Sequence, residues 1–325
     1  MKSHFLVAGI DVSKDTLDIC FNDDQNREHY FKVQNTPKGH KLLLGKLGAE
    51  RTFVMESSGP YYLRLAFSLQ QAGCDIRVEN PTRVKRFIQM QLERNKSDKK
   101  DARWLYRYGV EREAAQWQLP AAESLKCAQI MGLVDLYTRQ ATMIQNQLHS
   151  LEQVPVICTE VVKSLQKSLR SVKAEIRKLE HQLQDLLQVW QGEQLRCISS
   201  IPGLGKRAVA LLIVYTEGFT KVQSHRQLIA LAGLASREHT SGTSVRGRKG
   251  ICKMGNGYLR NVLYMCSLSA IKHNEACKEL YDRLKAKGKR GKVALIAVCN
   301  KLLKQAFAIA TKATMYQPNH KSILA

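Results

Sequence analysis

The first hundred residues read as short apolar stretches separated by turn signals. An apolar, β-prone run over residues 5–10 ends at Asp11, residues 17–21 alternate with a period of two, and residues 28–34 supply a third run. Three consecutive short strands of this kind predict an antiparallel meander. Thr36-Pro37 then opens a helix through Leu42, Leu43, Leu44 and Leu47, with proline in its favoured first turn. Residues 52–55 predict a buried strand running into Glu56, closed by Ser57-Ser58-Gly59-Pro60. A helix carrying Tyr62, Leu63, Leu65, Ala66 and Leu69 follows, then a strand over residues 74–78 closed by Glu79-Asn80-Pro81, and a helix to about residue 94. The predicted order is three strands, helix, strand, helix, strand, helix.

Beyond Gly109 the period lengthens. Residues 125–151 carry Ile130, Leu133, Tyr137, Ala141, Ile144, Leu148 and Leu151 at helical spacing, and Val154-Pro155-Val156 breaks the pattern. A second helix places Leu165, Leu169, Val172, Ile176, Leu179, Leu183, Leu186 and Trp190 at alternating steps of four and three. That heptad seam predicts an antiparallel coiled-coil hairpin projecting from the body, or a dimerising coiled coil. Next, Ile201-Pro202-Gly203-Leu204-Gly205-Lys206 has the form of a helix-hairpin-helix turn, whose backbone N–H groups bind a DNA phosphate. Helices over residues 208–215 and 226–235 come after it. A polar, glycine-punctuated loop (residues 238–250), a helix entered through Arg260 and a last apolar helix over residues 293–310 complete the chain. The expected architecture is α/β plus all-α in three parts: a ribonuclease-H-like mixed-sheet domain (1–118), a helical arm (119–192) and a helical C-terminal domain (193–325).

Charge changes this picture from a fold to a class of partner. Fifty-one Lys+Arg against 28 Asp+Glu give +23 over 325 residues. The excess is spread along the chain, which points to a polyanion, most commonly nucleic acid. No apolar run approaches the roughly 18 residues of a spanning helix, so no membrane partner is expected. The N-terminal apolar run is too short, and too soon interrupted by Asp11, for a signal peptide. The nine cysteines are dispersed without CxxC or Cys/His ligand spacing, so reduced thiols in a cytoplasm are expected and structural zinc is not.

The candidate chemistry is acidic. With Ser97 as N-cap, Asp98 and Asp101 fall on one side of a first helical turn. Asp in that position also complements the helix dipole, so the pair alone proves nothing. Asp11 ends the first strand and Glu56 the fourth, and the ends of neighbouring central strands lie side by side. Four oxygen ligands converging there suit Mg²⁺ or Mn²⁺, and a pair of such ions about 4 Å apart stabilises attacking and leaving oxygens at a phosphate. Ser241, beside Gly242 and near Arg246, Arg248, Lys249 and Lys253, could serve as a nucleophile among phosphate-binding cations, although a Ser-Gly pair is far more often an ordinary loop. Lys206 and Arg260, with a second basic cluster that includes Lys287, Lys289 and Arg290, read as backbone-contacting surface.

Several spaced motifs in one order resemble a known family over nearly the whole length. They are Gly9-Ile10-Asp11-Val12-Ser13-Lys14, Met55-Glu56-Ser57-Ser58-Gly59, Asn80-Pro81, Lys96-Ser97-Asp98-Lys99-Lys100-Asp101-Ala102, Ile201-Pro202-Gly203-Leu204-Gly205, Ala232-Gly233-Leu234, Ser241-Gly242-Thr243-Ser244-Val245-Arg246-Gly247 and Lys253-Met254-Gly255-Asn256. The resemblance is to the DEDD-type insertion-sequence transposases with a RuvC-like N-terminal domain, which include the bridge-RNA-guided recombinases and pilin-gene invertases. Cys252 stands where that pattern usually has Ser. The resemblance implies a recombinase in which Asp11, Glu56, Asp98 and Asp101 bind Mg²⁺ and Ser241 attacks a DNA phosphate. It also implies a composite site across a homo-oligomer and a structured noncoding RNA that pairs with target and donor DNA. Two alternatives stay open: a junction nuclease that uses water, and a basic nucleic-acid-binding scaffold without catalysis.

Overall fold

The computed structural model describes residues 6–92, 97–112, 115–237, 240–241, 245–246 and 250–318, with side chains left out at 240, 241, 245 and 246. The chain forms two compact units, Met1–Leu119 and Pro120–Ala325.

In the first unit, β1 (Val7–Val12), β2 (Thr16–Asn22) and β3 (Glu28–Gln34) form the expected antiparallel meander. After α1 (Pro37–Leu47), β4 (Thr52–Glu56) lies parallel to β1; after α2 (Tyr62–Gln71), β5 (Asp75–Glu79) lies parallel to β4. The five-stranded mixed sheet has the order β3-β2-β1-β4-β5. Thr36 and Asn80 cap α1 and α3 (Pro81–Met90) through their side chains, each with proline following in the first turn. Ser97 caps α4 (Asp98–Glu111) by accepting a hydrogen bond from the Lys100 amide at 3.3 Å.

Side chains alternate across the sheet, and each face has its own cover. Ala8, Ile10, Leu17, Ile19, Phe53 and Met55 pack with Leu43, Leu47, Leu65 and Leu69 of α1 and α2. Val7, Cys20 and Val54 pack with Val84 and Phe87 of α3 and with Ala102, Trp104, Leu105 and Tyr108 of α4. Each fully buried Val, Leu or Phe contributes roughly 1.5–3 kcal/mol, so both covers are held firmly.

Gly9 lets α4 descend onto β1. A Cβ there would lie 2.0 Å from the Tyr106 backbone nitrogen and 2.5 Å from the Ala102 carbonyl oxygen. Gly9→Ala is therefore expected to cost about 3 kcal/mol or more, since backbone cannot yield as a flexible side chain can. Urea unfolding monitored by circular dichroism measures it; an unchanged midpoint would mean that α4 does not sit on Gly9.

In the second unit, α5 (Ala122–Leu151) and α6 (Thr159–Ser199) pack along one another. Their buried residues concentrate toward one end, with Cys127, Met131 and Val134 on α5 and Leu183, Leu187, Leu195 and Ile198 on α6, and Ala141 lies further along α5. Along the rest of α6 the seam residues Leu165, Leu169, Val172, Ile176 and Leu179 are only half-buried. A non-helical residue, Gln191, with φ −140° and ψ 44°, kinks α6.

Helix α7 (Lys206–Thr216) is buried along nearly its whole length and follows the Pro202-Gly203-Leu204-Gly205 turn. Gly203 has φ +96°, and a Cβ on it would meet Ala270 at 2.6 Å. Helix α8 (His225–Leu231) stops short of the expected residue 235, two residues before Gly233. Four two-residue strands follow: β6 (Ser236–Arg237) pairs with β9 (Gly250–Ile251), and β7 (Thr240–Ser241) pairs with β8 (Val245–Arg246).

Helices α9 (Gly257–His273), α10 (Glu275–Ala286) and α11 (Gly291–Lys312) close the unit. Asn274 ends α9 and caps α10 from a site only 1% exposed, while its amide donates to the Pro202 carbonyl at 3.3 Å. That buried side chain pins the glycine turn to the helical core. The apolar pattern gave no sign of α10 as a separate helix. One expectation is corrected here: α11 has 22 residues and an 18-residue window of mean hydropathy 1.6, so it is long and apolar enough to cross a membrane by length and composition. Lys301 and Lys304 hide this from a count of uninterrupted apolar residues. Half of its most apolar window is buried, with Val298, Leu302 and Leu303 in the core, as in a central helix of a bundle.

Candidate active site

Strand parity decides which acids can meet. Val7 faces α4, so Gly9 and Asp11 on the same strand face it too, and Val54 carries Glu56 to the same side. On α4, Asp98 and Asp101 each precede a buried sheet-facing residue, Ala102 and Leu105, by four positions. Residues four apart share a helix face, so both acids tilt toward the sheet.

The electrostatics agree with that geometry. The Asp11 carboxyl is pushed up to about 7, first by burial and then by the negative charges of Asp101, Asp98, Glu56 and Asp18. Burial is the largest cause, and the four acids add to it by charge. Among the described residues, however, no group of three His, Cys, Asp or Glu is arranged to hold an ion as the side chains stand. The acids share a field rather than a closed ligand sphere. The donor set itself fits a hard divalent cation: four carboxylates with no thiol or imidazole among them suit Mg²⁺ or Mn²⁺ and not zinc.

Asp18 is the member that sequence reasoning missed. It is paired with Asp11 across the β1–β2 ladder and is 2% exposed. Lys32, its neighbour on β3, reaches it at 3.0 Å, and the Tyr30 hydroxyl donates a short hydrogen bond to it. The hydrogen bond to Asp18 holds the Lys32 ammonium above its usual pKa, and the Asp18, Asp98 and Asp11 charges add to the effect. A carboxylate at a sheet interior position, flanked by Leu17 and Ile19, is a signal that strand parity alone could have found.

Burial and the neighbouring acids together make a stability prediction. Because its pKa is raised, folded Asp11 keeps its proton at pH values where unfolded Asp11, near 3.8, has already lost it. Its contribution to stability is therefore fully present at low pH and is lost as pH rises from about 4 to about 7. Asp11→Asn, measured in chelator, is expected to melt higher than the parent at pH 8, with the gap closing toward pH 4. A variant that melts lower at pH 8 would show that Asp11 is not held against its neighbours' charge.

The other proposed site residues lie in the helical unit. Ser241 lies on β7 opposite Val245 of β8, with Arg246 opposite Thr240 on the same ladder. The side chains of Ser241 and Arg246, and residues Arg248 and Lys249 entirely, fall outside the described residues. Lys206, Lys253, Lys287, Lys289 and Arg290 are exposed. Arg260 is placed differently from a free surface cation: its guanidinium donates to the Ala232 carbonyl at 3.1 Å and the Lys253 carbonyl at 3.5 Å, bracing the loop before α9.

Comparison with known proteins gives the class and then the family. Residues 8–154 match a family model described as "Transposase", and residues 195–282 match one described as "Transposase IS116/IS110/IS902 family". The class is that of the transposases. Within it, the chain belongs to the IS116/IS110/IS902 transposase family. The pilin gene-inverting protein of Moraxella lacunata is 26% identical over 313 residues, covering 93% of this chain and 94% of that protein. The transposase for insertion sequence element IS1111A of Coxiella burnetii is 23% identical over 346 residues, covering 96% and 91%. A solved T. thermophilus RuvC in complex with Holliday junction substrate overlaps 35% of this chain and 100% of its own, at 17% identity and a TM-score of 0.25. That score is too low to bear on the fold.

Proposed function

We propose that this transposase is a DNA recombinase that cuts and rejoins strands through a covalent bond to Ser241. Its first unit is read as a ribonuclease-H-like, RuvC-like domain that binds Mg²⁺ or Mn²⁺ through Asp11, Glu56, Asp98 and Asp101. The observation that carries the reading is geometric: β1 and β4 pair in parallel and bring Asp11 and Glu56 to the sheet face that α4 covers, with Asp98 and Asp101 in the first turn of α4. The Asp11 carboxyl, pushed up to about 7 by burial and by neighbouring acids, accords with it. The strand order β3-β2-β1-β4-β5 supports the fold assignment. A bound divalent ion would supply Lewis-acid charge to the phosphate oxygens.

The chain's own residues do the rest. Attack by the Ser241 hydroxyl on a DNA phosphate forms one P–O ester as another breaks, so the phosphodiester energy is kept and no ATP is needed for rejoining. Lys206, Arg246, Arg248, Lys249, Lys253, Lys287, Lys289 and Arg290 hold the DNA backbone by charge. The half-buried seam of α6 and the kink at Gln191 support reading residues 119–192 as a coiled-coil arm that joins subunits. The pinned turn at Pro202-Gly203-Leu204-Gly205 is read as a helix-hairpin-helix contact to a phosphate. The homo-oligomer and the noncoding bridge RNA rest on the family resemblance. A pilin-gene inverter among the relatives is consistent with inversion, and not only transposition, as the outcome.

The test incubates the protein and its copurifying nucleic acid with Mg²⁺ and element-end DNA, then runs a denaturing gel with mass spectrometry. A DNA adduct on Ser241 is the expected product. Cleaved ends without an adduct would support the water-using nuclease instead.

A further inference from the structure

A cavity of about 400 Å³ opens in the helical unit where α5, α6, α7 and α9 meet. Its size lies within the roughly 300–1,000 Å³ of small-ligand sites. The floor is apolar, with Met131, Val134 and Ala210 beside the Tyr258 ring, while Arg177, Lys206 and Arg207 stand among its walls with a single carboxylate, Glu180. The chemistry proposed for Asp11 and Ser241 uses none of Tyr258, Arg177 or Arg207.

The cationic side is preset. Arg207 lies over the Tyr258 ring at 5.4 Å and pairs with Asp135 at 3.7 Å, so its guanidinium is oriented before any ligand arrives. Tyr258 begins α9, and the Gly203 turn that launches Lys206 and Arg207 is wedged against Ala270 of that same helix. Aromatic surface and cations are thus carried by elements locked to one another.

The combination selects its occupant. A bare phosphate would gain nothing from an apolar floor, and an uncharged apolar ligand would gain nothing from three cations. A nucleotide unit satisfies both, with a base against the aromatic ring and a phosphate on the arginines. Paired and stacked bases cannot enter a concavity of this size, so the base must be unstacked. We infer that the cavity formed by Met131, Val134, Ala210 and Tyr258 with Arg177, Lys206 and Arg207 holds one unstacked nucleotide of a single-stranded segment. The inference rests on the reading of the chain as a nucleic-acid recombinase and names a strand contact within it.

Its test measures binding without divalent metal, so that failure here and failure of the Ser241 adduct are separate results. Full-length protein is titrated with labelled single strands of about 12 nucleotides, in DNA and in RNA, each intact or carrying abasic positions that keep the phosphates and lack bases. For the strand that the cavity holds, Tyr258→Leu is expected to weaken the intact form about tenfold and leave the abasic form unchanged. Tyr258→Phe, which keeps the ring, should bind within about twofold of the parent. Equal loss on intact and abasic strands, or loss on neither DNA nor RNA, overturns the inference. A second measurement needs no variant: the unaltered protein is photocrosslinked to strands carrying 5-iodouracil and the modified peptide is mapped. Attachment at Tyr258 supports the site, and attachment only elsewhere overturns it.

Discussion

Asp101→Asn is expected to lower DNA cleavage and joining at least about a hundredfold, the scale on which single charge-stabilising groups act at a reacting phosphate or carbonyl. The substitution is nearly isosteric. Asp101 lies within the first turn of α4, whose N-cap hydrogen bond runs from the Lys100 amide to Ser97, so the cap survives. The buried side of the helix, Ala102, Leu105 and Tyr108, is likewise untouched. What changes is charge. Asp101 is the largest of the negative neighbours acting on Asp11, and its loss lets the Asp11 carboxyl fall back toward the ordinary range. The variant should therefore fold, and show a smaller upward shift of its melting temperature on adding Mg²⁺. Bulk DNA affinity should hold, because the lysines and arginines proposed to contact the backbone are left in place. Full cleavage by Asp101→Asn would remove the metal-site reading and favour a scaffold whose carboxylates are structural.

The elements that carry those acids were legible in the sequence because period and punctuation both survive folding. The strands at residues 7–12, 16–22 and 28–34, the helix opened by Thr36-Pro37 and the Ser97 cap follow from local rules that no tertiary contact overrode. The convergence of Asp11, Glu56, Asp98 and Asp101 on one face follows from parity on two strands joined to an i, i+4 relation on one helix. What escaped was set by neighbours distant in sequence. Strand parity marks Asp18 between Leu17 and Ile19, but the Lys32 and Tyr30 that hold it come from β3. The break between α9 and α10 depends on Asn274 bonding to Pro202 and Gln305, far away along the chain. The kink at Gln191 falls just past Trp190, the last seam residue, beside Gly192, which the heptad reading does not take as a break. Arg260 reads as surface charge, yet two backbone carbonyls claim it. The Tyr258 cavity is assembled from four helices, none of which marks it alone.

Ser241→Ala is expected to abolish both the covalent DNA adduct and strand joining, a loss below detection in the same gel assay, because deleting a nucleophile leaves nothing for the phosphate to transfer to. The residue lies on β7, whose pairing with β8 is made by the backbone, so Ser241→Ala is expected to keep that ladder. Binding of element-end DNA should be retained, since the phosphate-holding charges stay in place. The decisive comparison is with Asp101→Asn. If serine is the nucleophile and the carboxylates serve the same step, each variant alone should be inactive. Mixing the two should restore some activity only where a site draws Ser241 and the carboxylates from different subunits. Restored adduct in the mixture would show that the working centre is built between chains. Cleaved ends still produced by Ser241→Ala alone would instead make water the nucleophile, and the conserved energy of a serine ester could no longer account for ATP-free joining.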